Sequence, residues 1–112
     1  MCAMAVRQIK PGSYEAFRKA WMHDPWLPRY DRALVLRNPD DNDHVMTIAF
    51  FDGTAEEYEA ARDEPATMRA EEQRLHRIAE VEERVLLSGV YELVEEVLPP
   101  GEGAPEPWIA AS

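Results

Sequence analysis

Residues 29–51 read RYDRALVLRNPDDNDHVMTIAFF, and the fold turns on this stretch. Two apolar runs, Ala33-Leu34-Val35-Leu36 and Val45-Met46-Thr47-Ile48-Ala49-Phe50-Phe51, flank Asn38-Pro39-Asp40-Asp41-Asn42-Asp43. The intervening residues tolerate turn geometry and bond their own backbone, so strands over 29–37 and 44–51 are expected to form a hairpin. The runs are almost continuously apolar rather than alternating, which calls for cover on both faces of the sheet. Helices of the same chain can cover one face. A chain of 112 residues has no second layer for the other, and a second copy of the chain is the economical partner.

Upstream, residues 2–9 read as a first strand closed by Lys10-Pro11-Gly12. Tyr14, Phe17, Ala20 and Trp21 then recur at helical spacing, with Gly12 or Ser13 as cap and Pro25 as terminator. Downstream, Thr54 followed by Glu57 matches a capping box. Pro65 interrupts that helical region, and 66–82 resumes it with Met68, Leu75, Ile78 and Ala79 on the inner stripe. A fourth strand is expected within 85–97, where Gly89 marks a bulge or bend. The order is β-α-β-β-α-β: an α+β domain over 1–97, followed by a Pro/Gly-rich tail over 98–112. No internal repeat occurs at solenoid periods.

The formal charge of -10 disfavours nucleic acid and anionic membrane surfaces as partners, and no basic cluster offsets it. Cys2 is the lone cysteine, so no intrachain disulfide is possible and the cytoplasm is the expected compartment. No apolar run approaches the roughly 20 residues a membrane span needs, and Arg7 follows Met1 too closely for a signal peptide's apolar core.

The element order, the Lys10-Pro11-Gly12 turn leading to Tyr14-Glu15-Ala16-Phe17, and the stretch Phe50-Phe51-Asp52-Gly53-Thr54-Ala55-Glu56-Glu57-Tyr58 together resemble the antibiotic-biosynthesis-monooxygenase-like family over residues 3–97. The resemblance implies a ferredoxin-like antiparallel sheet with helices on one face, paired into a dimeric α+β barrel that holds a small molecule between sheet and helices. It also implies a choice of functions: cofactor-independent oxygenases of phenols, heme-degrading enzymes, isomerase-like and dechlorinating relatives, and members without a demonstrated reaction. Where that family often carries a tryptophan at the end of the third strand and histidines in the next helical region, this chain has Phe51, then Arg62 and Thr67. The heme-degrading branch departs further. Its first-strand asparagine is replaced by Arg7 or Gln8, and its helical tryptophan is missing.

Candidate site residues follow from this layout. Phe17, Trp21, Trp26, Tyr30 and Phe50 are expected to line a pocket for a small apolar or aromatic ligand, and His76 is the candidate base. Each has a plainer reading. Phe17 and Trp21 can be core, and Trp26 can plug the barrel end or form a pocket wall. His76 stands about 80° from Met68 around its helix, between Glu72 and Glu80, where a solvated surface histidine also fits. His23 suits a helix C-terminus as a dipole partner, and His44 opens a strand. Arg37, Arg62 and Arg69 can hold an anion or simply meet surface carboxylates. The acidic turn at 40–43 lacks the downstream glycine and glutamate of a calcium loop, and no two histidines have metal-ligand spacing. The expected chemistry requires no cofactor and no metal. Three functions stand open: an oxygenase of phenols, a non-catalytic ligand-binding dimer, and heme binding. Trp108 and Ile109 are expected to dock across the dimer from the extended tail.

Overall fold

The structure is a computed structural model describing residues 1–23 and 26–101. Its elements are β1 (Cys2–Ile9), α1 (Tyr14–Trp21), β2 (Tyr30–Asn38), β3 (Asp41–Phe51), α2 (Ala55–Arg62), α3 (Pro65–Ala79) and β4 (Glu82–Tyr91). The strands form one sheet in the order β2-β3-β1-β4, with every neighbouring pair antiparallel. This is the expected ferredoxin-like α+β arrangement.

Pairing fixes which side chains share a face. Ala5 lies opposite Thr47 and Arg7 opposite Val45, so Ala3, Ala5, Arg7 and Ile9 point the same way as Val45, Thr47, Ala49 and Phe51. The helices cover this face. At one end it is filled: Ile9 and Val45 pack with Phe17, Ala20, Trp21 and Ile78 as a buried cluster. Each large side chain in that cluster contributes about 1.5–3 kcal/mol by leaving water. Towards the other end the residues shrink to Ala3, Ala5 and Ala49, and side-chain volume runs out before the space beneath the helices does.

The opposite face is apolar and bare. Met46, Ile48, Leu34, Leu36 and Leu87 alternate onto it, and Leu36 is 45% exposed. Among the described residues no helix lies over it. Nor is any helix there long and apolar enough to cross a membrane.

Several boundaries differ from expectation. The hairpin turn is only Pro39-Asp40, because Asp41, Asn42 and Asp43 belong to β3. Tertiary partners recruit these polar residues: Asp43 accepts from the backbone N–H of Gly12 at 3.0 Å, and Asp41 accepts from Gln8 at 3.3 Å. Gly12 itself has φ 71°, in the left-handed region that favours glycine. Ser13 occupies the N-cap position of α1, but its hydroxyl donates backwards to the Lys10 carbonyl at 2.6 Å instead of capping. α1 ends at Trp21 with Met22 already extended; Pro25, expected to stop it, lies outside the described residues. Pro65 does divide the second helical region, occupying the first turn of α3.

β4 starts and stops earlier than the apolar run suggests. Its last residue, Tyr91, pairs with Cys2 at the start of β1, so nothing remains for Leu93, Val94 or Val97 to pair with, and Val94 is 85% exposed. The register shifts fall at Leu86, between the Val6–Leu87 and Arg7–Val85 pairs, and at Glu83, between the Gln8–Arg84 and Ile9–Glu82 pairs, and not at Gly89. Gly89 has a different role: a Cβ there would meet the Tyr91 ring at 3.1 Å. The docking expected of Trp108 falls outside the described residues.

The capping box is present in full. The Glu57 backbone N–H donates to Thr54 Oγ1 at 3.1 Å, and the Thr54 backbone N–H donates to Glu57 Oε1 at 3.0 Å. That backbone bond and the ion pair with Arg29 hold the Glu57 carboxyl down at about 2. Removing the hydroxyl with Thr54→Ala is expected to cost about 1 kcal/mol, read from the denaturant midpoint at unchanged m-value, whereas Thr54→Ser restores most of it.

Candidate functional site

Between the small-residue end of the sheet and helices α2 and α3 lies a cavity of ≈ 800 Å³. That volume falls within the range of small-molecule pockets. Ala3, Ala5, Thr47 and Ala49 form its floor, and Met68, Leu75 and Glu71 of α3 line the opposite wall.

One side is a chain of aromatic rings in edge or stacked contact. Trp21 meets His23 edge-on at 5.4 Å, His23 stacks on Tyr30 at 5.7 Å, Tyr30 meets Phe51 at 5.5 Å, and Phe51 meets Tyr58 at 5.3 Å. The end of α1, the start of β2, the end of β3 and α2 thus contribute one ring wall. Such perpendicular and offset contacts suit ring quadrupoles and fix the rings relative to one another.

Two protonation states follow from this enclosure. Burial, then the Arg74 guanidinium, lower His23 to about 4, so its imidazole is neutral at physiological pH. Burial and the neighbouring Tyr58 hydroxyl push Tyr30 well above the ordinary tyrosine value, so its phenol keeps its proton. The wall therefore presents neutral hydrogen-bonding groups on an apolar surface.

The buried charges nearby are paired. Arg74 grips Glu71 through two bonds, Nε to Oε2 at 3.0 Å and Nη2 to Oε1 at 2.5 Å, and donates its third nitrogen to the Trp21 carbonyl at 3.3 Å. Burial pushes Glu71 up, but the Arg74 bonds outweigh it and leave the carboxyl below its usual range. Arg77 donates to the carbonyls of Ala20 and Met22 at 3.4 and 3.2 Å. Two arginines of α3 thus satisfy carbonyls left open at the C-terminal end of α1, where cations are favoured. They anchor the segment that carries Trp21 and His23. On β1, Arg7 is buried and pairs with Glu82 through Nε at 2.8 Å.

Of the residues expected to line the pocket, Trp21 and Tyr30 do, and His76 joins them from α3, with its own side chain largely exposed. Phe17 is fully buried in the packed cluster beside the cavity. Trp26 is exposed and braces the wall from behind, donating from Nε1 to the Tyr30 carbonyl at 2.6 Å. Phe50 points to the bare face of the sheet, where the Arg32 guanidinium lies 4.6 Å from its ring centroid. Its neighbour Phe51 takes the wall position, because successive strand residues face opposite ways. His23, Tyr58, Glu71, Arg7 and Thr47 are wall residues that sequence reasoning missed. Only Thr47 among these falls in the β3 series Val45, Thr47, Ala49, Phe51, as the one polar residue of an otherwise apolar run. Among the described residues no group of three or more His, Cys, Asp or Glu side chains gathers as a metal site.

No protein-family model matches the chain, and no curated protein matches it. Solved structures do share its fold. The cofactor-independent oxygenase SnoaB from Streptomyces nogalater is 15% identical, with a TM-score of 0.62 over 88% of this chain and 96% of its own. The "putative antibiotic biosynthesis monooxygenase" from Nitrosomonas europaea is 16% identical, with a TM-score of 0.58 over 84% of this chain and 98% of that one. At such identities the likeness is one of fold, and it agrees with the antibiotic-biosynthesis-monooxygenase-like layout expected from the sequence.

His23 gives this site a direct test. Its folded value lies below the ordinary 6.5, so the stability linked to it is present above 6.5 and lost as the pH falls towards 4. An NMR titration is expected to show the His23 ring signals moving with a midpoint near 4. Acid destabilisation over that interval should be weaker in His23→Gln.

Proposed function

We propose that the chain binds a small aromatic or phenolic molecule in this cavity and oxidises it as a cofactor-independent monooxygenase. The observation that carries the reading is the cavity itself: an alanine floor, a fixed wall of rings, and neutral polar groups among them. The shared fold with the cofactor-independent oxygenase SnoaB supports it. Enclosure strips water from an electron-rich phenol, and its proton passes to a base on the wall. The anion gives an electron to dioxygen, and the two radicals combine into a ring hydroperoxide that takes the proton back. Loss of water then leaves a carbonyl, with one oxygen atom in the product and one in the water.

His23 is a poor base for this step. Moving a proton from a phenol of ordinary pKa, about 10, to an imidazole at about 4 is uphill by about 8 kcal/mol. His23 instead suits a hydrogen bond that orients the substrate, and His76, at the exposed rim of the wall, takes the role of base. A second reading, a non-catalytic ligand-binding dimer, draws support from the same charges: Arg74 occupies both oxygens of Glu71, and so withdraws a wall carboxylate from proton transfer.

In either reading a second copy of the chain covers the bare sheet face, joining two sheets into the expected barrel. Leu34, Leu36, Met46, Ile48 and Leu87 supply an apolar surface on the side that carries none of the described helices. The lone Cys2 fits a cytoplasmic setting for such a dimer.

Two measurements check this. Oxygen uptake with a panel of aromatic diols and anthrone-like phenols is expected to be positive and to fall at least about tenfold in His76→Ala, the lower range for a general base. Thermal stabilisation by the same compounds without uptake would favour the binding module. Sedimentation equilibrium at micromolar concentration is expected to give a dimer that Leu36→Glu dissociates. A folded wild-type monomer would refute the barrel.

A further inference from the structure

We infer that Arg7 is the anchor of the pocket's ligand, binding an anionic oxygen carried on its aromatic ring, an inference that rests on the cavity being a ligand site. Arg7 lies on the floor-side face of β1 and is 6% exposed, yet only part of its guanidinium is used. Nε donates to Glu82 at 2.8 Å; among the described residues no acceptor is bonded to Nη1 or Nη2. A guanidinium carries five N–H donors, so most of its bonding capacity is open. The guanidinium carbon lies 6.0 Å from the Phe17 ring centroid, at the border between the packed cluster and the cavity that Arg7 lines, and no fully buried side-chain nitrogen or oxygen among the described residues lacks a partner, so those two nitrogens are not sealed in the core.

A second donor stands beside it. Thr47 is 4% exposed, lines the cavity, and makes no side-chain hydrogen bond among the described residues. Because Arg7 pairs with Val45 and Ala5 with Thr47, the two side chains are diagonal neighbours on one face of the sheet. Arg62 also lines the cavity, but its side chain is exposed and its Nε meets Asp63 at 3.4 Å, so water competes for it as it does not for Arg7. Arg74 spends all three nitrogens on Glu71 and the Trp21 carbonyl, and its grip on Glu71 neutralises the carboxylate facing the same space. A buried guanidinium with an unused edge next to an unused hydroxyl fits a planar oxygen acid, a carboxylate or an ionised phenol, whose ring then lies on the alanine floor against the aromatic wall. Selection by charge is local here, since the chain as a whole carries -10.

Calorimetry with 2-naphthoate and its neutral counterpart 2-methylnaphthalene tests this. Wild-type protein is expected to prefer 2-naphthoate by about ten- to a hundredfold, the range for hydrogen bonds to charged groups. The double variant Arg7→Gln/Glu82→Gln removes both charges of the pair together and is expected to lose the preference while keeping its affinity for 2-methylnaphthalene. Thr47→Val leaves the ion pair intact, guards against misfolding of the double variant, and is expected to weaken 2-naphthoate alone by about fivefold. A third probe, 2-naphthol, separates the two oxygen acids: its pKa falls on binding if ionised phenols are accepted and is unchanged if the site takes carboxylates only, and either result supports the anchor. A preference that survives both variants overturns it. Binding of 2-methylnaphthalene without any preference for 2-naphthoate overturns the anchor and leaves the pocket standing. Failure of both naphthalenes to bind overturns the pocket and the anchor together.

Discussion

The register between β1 and β3 is the constraint on which the rest depends. Ala5 opposite Thr47 and Arg7 opposite Val45 set the parity of the sheet, and parity decides which residues see the helices. On that face, side-chain size falls from Ile9 and Val45 to Ala3, Ala5 and Ala49. The same strands therefore supply a packed core at one end and an empty volume at the other. Slipping β3 by one residue would put Phe50 on the wall and turn Thr47 towards the bare face, destroying floor and anchor at once.

The helices are held over that floor partly by charge. Arg74 and Arg77 reach from α3 to the last carbonyls of α1, and Glu71 keeps Arg74 in place. Arg74 is the buried member of this network, and removing its partner Glu71 would leave its charge in low dielectric, so the pair's value lies in position more than in net stability. The network's cations also lower His23. Burial is the larger cause of that shift, so the network fixes the roof and adds to what keeps the wall neutral.

What the sequence disclosed was local or periodic. Thr54 and Glu57 are three residues apart and form the capping box that spacing predicts, and the order of elements along the chain follows from apolar runs, helical periods and breakers. What it hid depends on distant partners. Asp41 and Asp43 look like turn residues until Gln8 and Gly12 draw them into β3. His23 looks like a helix-end cation until Tyr30 stacks on it and Arg74 approaches from another helix. The site was half legible for the same reason. Trp21 and Tyr30 sit where helix and strand boundaries imply, whereas the choice of Phe51 over Phe50 needed a register, and continuous apolar runs erase the alternation that would reveal one. Arg7 entered the sequence reading only as a charge close to Met1 and as a residue in the place of the heme branch's asparagine, and its burial on the helix-covered face needed the register.

Trp21 has a consequence of an optical kind. Its indole is nearly buried, belongs to the cavity wall, and meets the His23 ring edge-on at 5.4 Å, whereas Trp26 is 41% exposed and lies behind the wall, outside the cavity lining. A molecule entering the cavity replaces water against one of these two fluorophores and leaves the other unchanged. Protonation of His23 would bring a quenching charge beside both indoles, because its ring also meets Trp26 edge-on at 5.6 Å. The protein thus carries an intrinsic gauge of occupancy and local acidity, built from the residue that also closes its core.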